Sequence, residues 1–439
     1  MFKKIAFIFL LIGMINSVFG QKEISWLKKN TAKINLDTLQ KDDTQFETIK
    51  KSIGKSRIVF LGEQTHGDGT TFETKAKLIQ YLHQEMGFTI LAFESNLFNA
   101  ERAWQDVQEN INPLTALQNS TGQMWGKAKE VQPLFAYILS KKNSDRPLKI
   151  SGFDCQTHGY YYYKYFPREF VMYLRSKNIG FIDSTERVNF FKVYNILTNG
   201  INIYLKGINE NSRKLYLDTF FNDKKIFSKI LDKKILELSN LNEPKGNLFL
   251  QHLISFKNYI PELLDGVTID STISNNIKVS AYLRDSLMAE NIIWLANKRY
   301  PNEKIIIWAA SYHNARHKSV GYGNMIETLM GDFLKPELEK ISYSIAFTTY
   351  EGYFGRWNSK DSVILDKSSL NSFEDLFSRV GKENFFLDFK TLSKTKNGKW
   401  LTEPKIMRPL GYREQEKNWT LVFDAVIFNR RMKKVHSVL

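Results

Sequence analysis

Only one cysteine, Cys155, occurs in 439 residues, so no internal disulfide can staple this chain and a large buried core must hold it together. After residue 20 there is no apolar run long enough to span a bilayer. No stretch rich in Pro, Gly or Ser reads as a linker, and no internal repeat is present. One elaborated domain over residues 21–439 is therefore favoured, although length alone would allow two or three. Several mechanistic signatures are also missing. The sequence holds no GxSxG nucleophile elbow, no GxxxxGK[ST] phosphate loop, no GxGxxG and no HExxH.

The first twenty residues, MFKKIAFIFLLIGMINSVFG, combine two lysines, a short apolar core and small residues at Val18 and Gly20. That is the pattern of a cleaved signal peptide, and with no cysteine at the cut a lipid anchor is not expected. The rest of the chain should be soluble and either periplasmic or secreted. The formal net charge is +16, and +14 once Lys3 and Lys4 leave with the signal peptide. The lysines are scattered and form no stripe or arm, so the basic balance reads as a solvated surface, with no nucleic-acid partner. A hydrophobic content of 43% with 14% aromatics marks a globular chain.

Four apolar runs share one feature: RIVFLG ends at Glu63, TILAFE at Glu94, LKISGFD at Asp154 and KIIIWAASYH at His313. Consecutive apolar positions of this kind suit strands of a parallel sheet covered on both faces. Each run delivers a titratable group at its C-terminal end, the edge at which open α/β sheets bind ligands. Phe72, Ala76, Ile79 and Leu82 recur at helical spacing and Gly87 supplies a stop, which gives a strand, helix, strand unit. From about residue 160 to 290 the sequence turns to Lys, Asn, Leu, Ile and Phe in helical patterns such as FFKVYNILTNGINIYL. This segment reads as a helical insertion over the strand ends. Beyond His313, YSIAFTTYEG, NFFLDF and WTLVFDAVIF return to strand-like composition. The expected fold is an α/β domain with a mainly parallel central sheet flanked by helices.

His66 stands between a strand and a helix starting near Thr70 or Thr71. Its imidazole suits a general base, with Glu63 fixing the tautomer, or else it is a loop histidine capping the helix. Glu94, before Ser95 and Asn96, is either a site carboxylate or part of a helix N-cap, and Asp154 has the same ambiguity. His313 and His317 lie four apart, a spacing that would share a helix face and bind zinc, although no third ligand is evident. The run Tyr160 to Tyr163 is a helix or lid surface packing on the core, or a set of aromatic faces for a large apolar ligand.

The stretch LGEQTHGDGTTFETKAKLIQYLHQEMGFTILAFES, followed by GFDCQ, RDSLMAEN, IIIWAASYH, RPLGY and FDAVIFN, resembles the erythromycin esterase family across nearly all of residues 21–439. The resemblance implies hydrolysis of the lactone ester of 14-membered macrolides without a metal or other cofactor; the alternatives are a hydrolase of another ester, an envelope polysaccharide acyl group or a small lactone, and a non-catalytic envelope binding protein that keeps the cleft. It also implies His66 as the base that activates water, Glu63 as its companion, Glu94 as a second essential carboxylate and His313 as a second histidine. Lys75, Asp154 and Arg284 are implied to bind a small-molecule ester or macrolide. Two positions depart from the family pattern. Ala310 and Ser311 replace a usual His-Asn pair, and Lys75 stands where arginine is usual. Glu63, Glu94 and Asp154 together are expected to make the cleft mouth acidic, which would attract the protonated amino sugar of a macrolide.

Overall fold

The computed structural model describes residues 21–35, 44–241, 243, 246–264, 280–317 and 328–438. The proposed signal peptide lies outside these residues. Eleven strands are described: β1 (Ala32–Lys33), β2 (Ile58–Glu63), β3 (Phe88–Asn96), β4 (Lys149–Asp154), β5 (Lys304–Ala310), β6 (Ser342–Phe354), β7 (Val363–Leu365), β8 (Asn384–Asp388), β9 (Lys405–Met407), β10 (Gln415–Lys417) and β11 (Ala425–Met432). β9 and β10 form a separate antiparallel pair, and the others make one sheet in the order β1-β8-β11-β6-β2-β5-β3-β4 with β7 beside β6. From β11 to β4 every neighbouring pair is parallel. The additions at β8, β1 and β7 are antiparallel.

Alternation along each strand builds two faces. Val59 and Leu61 of β2, with Leu91, Phe93, Ile306 and Trp308, pack on Phe72, Ala76, Ile79 and Leu82 of the helix Gly69–Met86. Ile58 and Phe60, with Ile90, Ala92, Ile305 and Ile307, pack on Met288, Ala289 and Ile292. Every residue of β2 and β3 is buried, which is why these strands read as unbroken apolar runs. The helix Gly69–Met86 ends as the sequence indicates, at Gly87 with φ 72°. It begins one residue earlier than expected, because the Asp68 side chain accepts from the Thr71 amide and caps it.

The four runs picked out in the sequence become β2, β5, β3 and β4, which are contiguous in the sheet. Chain order and sheet order differ, since β5 lies between β2 and β3. A crossover of this kind opens a crevice at the carboxyl ends. Beyond β4 the helices Tyr160–Ser176, Ser184–Asn199, Ile201–Leu205, Glu210–Ser239 and Leu248–Leu263 form the insertion. They bury Phe166, Phe170, Tyr194, Phe227, Leu253 and Phe256 in a core of their own. The pattern FFKVYNILTNGINIYL is two helices rather than one, because Gly200 at φ 86° breaks it. WTLVFDAVIF also divides, into a helical turn at Trp419–Val422 and then β11. Tyr162 joins the insertion core, while Tyr160 and Tyr163 remain exposed.

Candidate active site

β2 places Glu63 at the carboxyl edge of the sheet, fully buried. Its Oε1 lies 3.2 Å from His66 Nδ1 and accepts from Trp125 Nε1 at 3.2 Å. Its Oε2 accepts from the Lys75 ammonium, which also donates to the Ala309 carbonyl at 3.2 Å and sits 4.6 Å from the centre of the Trp308 ring. Lys75 has no exposed surface, and burial pulls its pKa down to about 8 despite the Glu63 charge beside it. It is therefore the buried counter-ion of Glu63 and not a substrate contact, which corrects the expectation for this residue. A hydrogen on Nδ1 directed at Glu63 leaves His66 Nε2 with a free lone pair. His66 is not the helix cap, because Asp68 fills that place. Its ring meets Trp125 edge-on at 5.4 Å, and its side chain keeps 21% of its surface open.

Two glycines let this turn approach its neighbours. A Cβ on Gly62 would fall 2.7 Å from Ser311, whose hydroxyl donates to the Gly62 carbonyl at 2.5 Å. A Cβ on Gly67 would fall 2.9 Å from the Gly355 nitrogen.

A second cluster forms where β3, β4 and β5 end. The register of β3 against β4 shifts between Phe93 and Asn96, a bulge that re-aims Glu94. Glu94 Oε2 accepts from the Ala310 amide at 3.1 Å, and Oε1 accepts from Arg284 Nη2 at 2.9 Å and lies 3.3 Å from His313 Nε2. Asn96, not Glu94, caps the next helix. Burial alone would raise the Glu94 pKa, but His313 and Arg284 outweigh it and hold the carboxyl well below its ordinary range. Asp154 takes the remaining guanidinium edge, at 3.2 Å from Nε and 2.7 Å from Nη2. Desolvation opposes its charge, and Arg284 prevails and lowers its pKa.

His313 lies in a one-turn helix, Ser311–Asn314, beyond the end of β5. Its Nδ1 is 2.8 Å from Asp285 Oδ1, which also accepts from the Met330 amide at 2.8 Å. Burial would favour the neutral ring, but Glu94 and Asp285 on its two nitrogens push its pKa up to about 10. The two carboxylates thus favour the imidazolium form of His313, whose Nε2 also lies 3.3 Å from Arg284 Nη1. His317 does not share its helix face, since that helix ends at Asn314 and His317 has φ 63°. No cluster of three His, Cys, Asp or Glu suited to a metal occurs among the described residues.

A folded pKa raised from 6.5 to about 10 means that His313 contributes stability fully below pH 6.5 and loses it as pH climbs toward 10. We expect NMR of imidazole-labelled protein to show one histidine still cationic at pH 8, and Asp285→Asn to lower that titration by at least one unit. A ring already neutral at pH 7 would refute the assignment.

The expected acidity of the cleft mouth is largely offset by buried cations: four carboxylates face Lys75, Arg284 and His313, and Arg284 and His313 are each shared by two of them. Glu63 is paired with Lys75, Glu94 with Arg284 and His313, Asp154 with Arg284, and Asp285 with His313. Asp285 and Trp125 were not singled out in the sequence. Asp285 was visible only as the neighbour of Arg284 in RDSLMAEN, while Trp125 sits in a segment that carries no motif.

Residues 262–432 match the erythromycin esterase family. The match takes in Arg284, Asp285 and His313 and bears out the resemblance over this C-terminal region. YbfO of Bacillus subtilis (strain 168), named as a candidate hydrolase, is 25% identical over 421 residues, 92% of this chain and 89% of that protein. Three solved structures share the fold. A Bacillus cereus protein superposes with TM-score 0.72 at 19% identity, covering 96% of this chain and 99% of its own. A protein described as acting in succinoglycan biosynthesis gives 0.73 at 18%, with coverages of 95% and 98%. A His-to-Asn mutant of the erythromycin esterase EreC in its open conformation gives 0.64 at 18%, covering 92% and 98%. The mixed α/β architecture with a mostly parallel sheet is that of the erythromycin esterase fold, and the family match together with the curated relative supports a hydrolase.

Proposed function

We propose that the protein is a carboxylic ester hydrolase of the erythromycin esterase type, exported to the periplasm or the exterior, which opens macrolide lactones by general-base activation of water. One observation carries this reading. An imidazole oriented by a buried carboxylate stands at the end of β2, and a guanidinium with an imidazolium gathers at the ends of the next strands. His66 Nε2 takes a proton from water as the oxygen adds to the ester carbonyl. The negative charge on the carbonyl oxygen develops toward Arg284 and His313, whose side chains keep 18% and 12% of their surface open. Collapse of the tetrahedral intermediate expels the alkoxide, which recovers the proton from His66, giving acid and alcohol. General-base help of this kind is worth ~10² to 10⁴ in rate.

Zinc has no part in this proposal. The carboxylates and the imidazole that would ligate it already carry Lys75, Arg284 and a second proton, and bringing a dication among those cations would be opposed. A second reading, hydrolysis of a neutral or anionic ester, is favoured by the same pairing, since Glu63, Glu94, Asp154 and Asp285 each already face an internal cation. Incubation with erythromycin should yield a product heavier by one water, an activity retained after dialysis against EDTA. If erythromycin stays intact at high enzyme concentration while a neutral acyl ester is cleaved, the macrolide assignment fails and the broader esterase claim stands. Loss of activity on chelation, restored by zinc, would reject the general-base mechanism.

A further inference from the structure

Trp125 takes no step in the chemistry above, yet it touches both Glu63 and His66. Its indole Nε1 donates to Glu63 Oε1 at 3.2 Å, and this is the oxygen that also faces His66 Nδ1 at 3.2 Å. The indole ring meets the imidazole edge-on with centroids 5.4 Å apart, and meets Phe93 of β3 at 6.0 Å. Trp125 is fully buried, so bulk water does not compete for its N–H.

The indole is held from outside the turn. Trp125 belongs to the one-turn helix Gln123–Gly126, and the segment after it is fastened to residues 433–438. Lys129 N donates to the His436 carbonyl and Val438 N to the Lys127 carbonyl, both at 2.8 Å. The same stretch holds the turn that carries His66. Gly69 N donates to the Lys433 carbonyl at 2.8 Å and Val435 N to the Gly355 carbonyl at 3.1 Å, while Gly355 N donates to the Gly67 carbonyl at 3.1 Å. One frame thus fixes the imidazole and the indole relative to each other.

We propose that Trp125 is a positioning residue for the base, which takes up part of the acceptor capacity of Glu63 Oε1 and so limits how firmly that carboxylate retains the proton of the imidazolium. A base in this reaction must return its proton to the departing alkoxide, and a carboxylate that faced His66 alone on that oxygen would hold the proton back. A hydrogen bond donated to a carboxylate favours its charged, less basic form. Lys75 acts in this way on Oε2 as a cation, and Trp125 acts on Oε1 without adding charge. The inference rests on the reading of His66 as the base of an ester hydrolase.

The charged groups around His66 are Glu63, Lys75 bonded to it, Asp68 at the start of the next helix, and Glu94 with Arg284 and His313. Trp125→Phe alters none of them: it keeps an aromatic ring and removes the donor. For an ester that the wild-type protein cleaves, the acid limb of the kcat/KM profile should move up by about one pH unit in the variant, with KM changed less than about two-fold. A rate lowered equally at every pH, or a limb that stays in place, would show that the indole only fills space, and would overturn the proposal. Should Trp125→Phe fail to fold, wild-type sequence grown with 5-fluorotryptophan, a stronger indole donor, should move the limb the other way, and an unmoved limb there is equally fatal. If the wild-type protein cleaves no ester, the esterase reading fails, and NMR of imidazole-labelled protein decides on the indole. A His66 signal that titrates at higher pH in Trp125→Phe than in the wild type supports the coupling through Glu63, and an unchanged midpoint sinks it.

Discussion

His66→Ala is expected to lower turnover on any ester the wild-type protein cleaves by ~10³ or more while leaving the fold intact. The reason lies in where His66 sits. It occupies a turn, not a strand, and it meets the core only through the edge of Trp125 and one bond to Glu63. Removing it takes away the lone pair proposed to accept the water proton and uncovers the part of Trp125 that the imidazole meets. It creates no large cavity, so the melting temperature should move by only a few degrees. Added imidazole should restore part of the rate, because the space vacated beside Glu63 opens to solvent. A purified variant with near wild-type turnover would show that some other group is the base.

The largest expected effect on stability comes from Lys75→Met. Methionine fills similar volume but leaves the Glu63 carboxylate fully buried without its ammonium, and breaking a buried pair in this way costs ~3 to 5 kcal/mol. Urea titration at pH 7 should show that loss, with activity falling alongside. The control is Lys75→Arg, which keeps the charge. Because burial holds the Lys75 pKa near 8, the ammonium loses its proton as pH rises through that value, and Glu63 is then left unpaired. Activity should therefore decline above about pH 8 in the wild type and at higher pH in Lys75→Arg, whose guanidinium stays protonated. A Met variant of unchanged stability would mean that Glu63 takes up a proton at little cost, and that the pair is not ionic.

Much of the sheet could be read directly from residue order. A parallel strand buried on both faces must be apolar at consecutive positions, and a ligand edge places its polar groups where such runs stop, so Glu63, Glu94 and Asp154 announced themselves. His313 did so less faithfully. Its run continues through Ser311 and Tyr312, and nothing in their identities shows that the strand gives way to a helical turn at Ser311. The partners of these groups were harder to see. Lys75 lies on a helix with charged neighbours such as Lys77 and Glu73, and the packing of that helix on β2 and β5 seals it from water. Asp285 is an acid in a helix with several polar positions, and its role depends on His313, 28 residues away. The offset of the cleft's acidity was hidden for the same reason. Carboxylates can be counted along a chain, but the cations that neutralise them arrive from distant elements.

The insertion has its own interior, in which Phe166, Tyr194, Phe227 and Phe256 pack among themselves, with Phe98 of the preceding helix joining them. Errors of packing introduced there during divergence are absorbed locally, since substitutions without shared neighbours act nearly independently. A helical layer with an interior of its own can thus be rebuilt over generations while the strand ends that hold Glu63, Glu94 and Asp154 keep their positions, so that one arrangement of charges can outlast many changes in the layer.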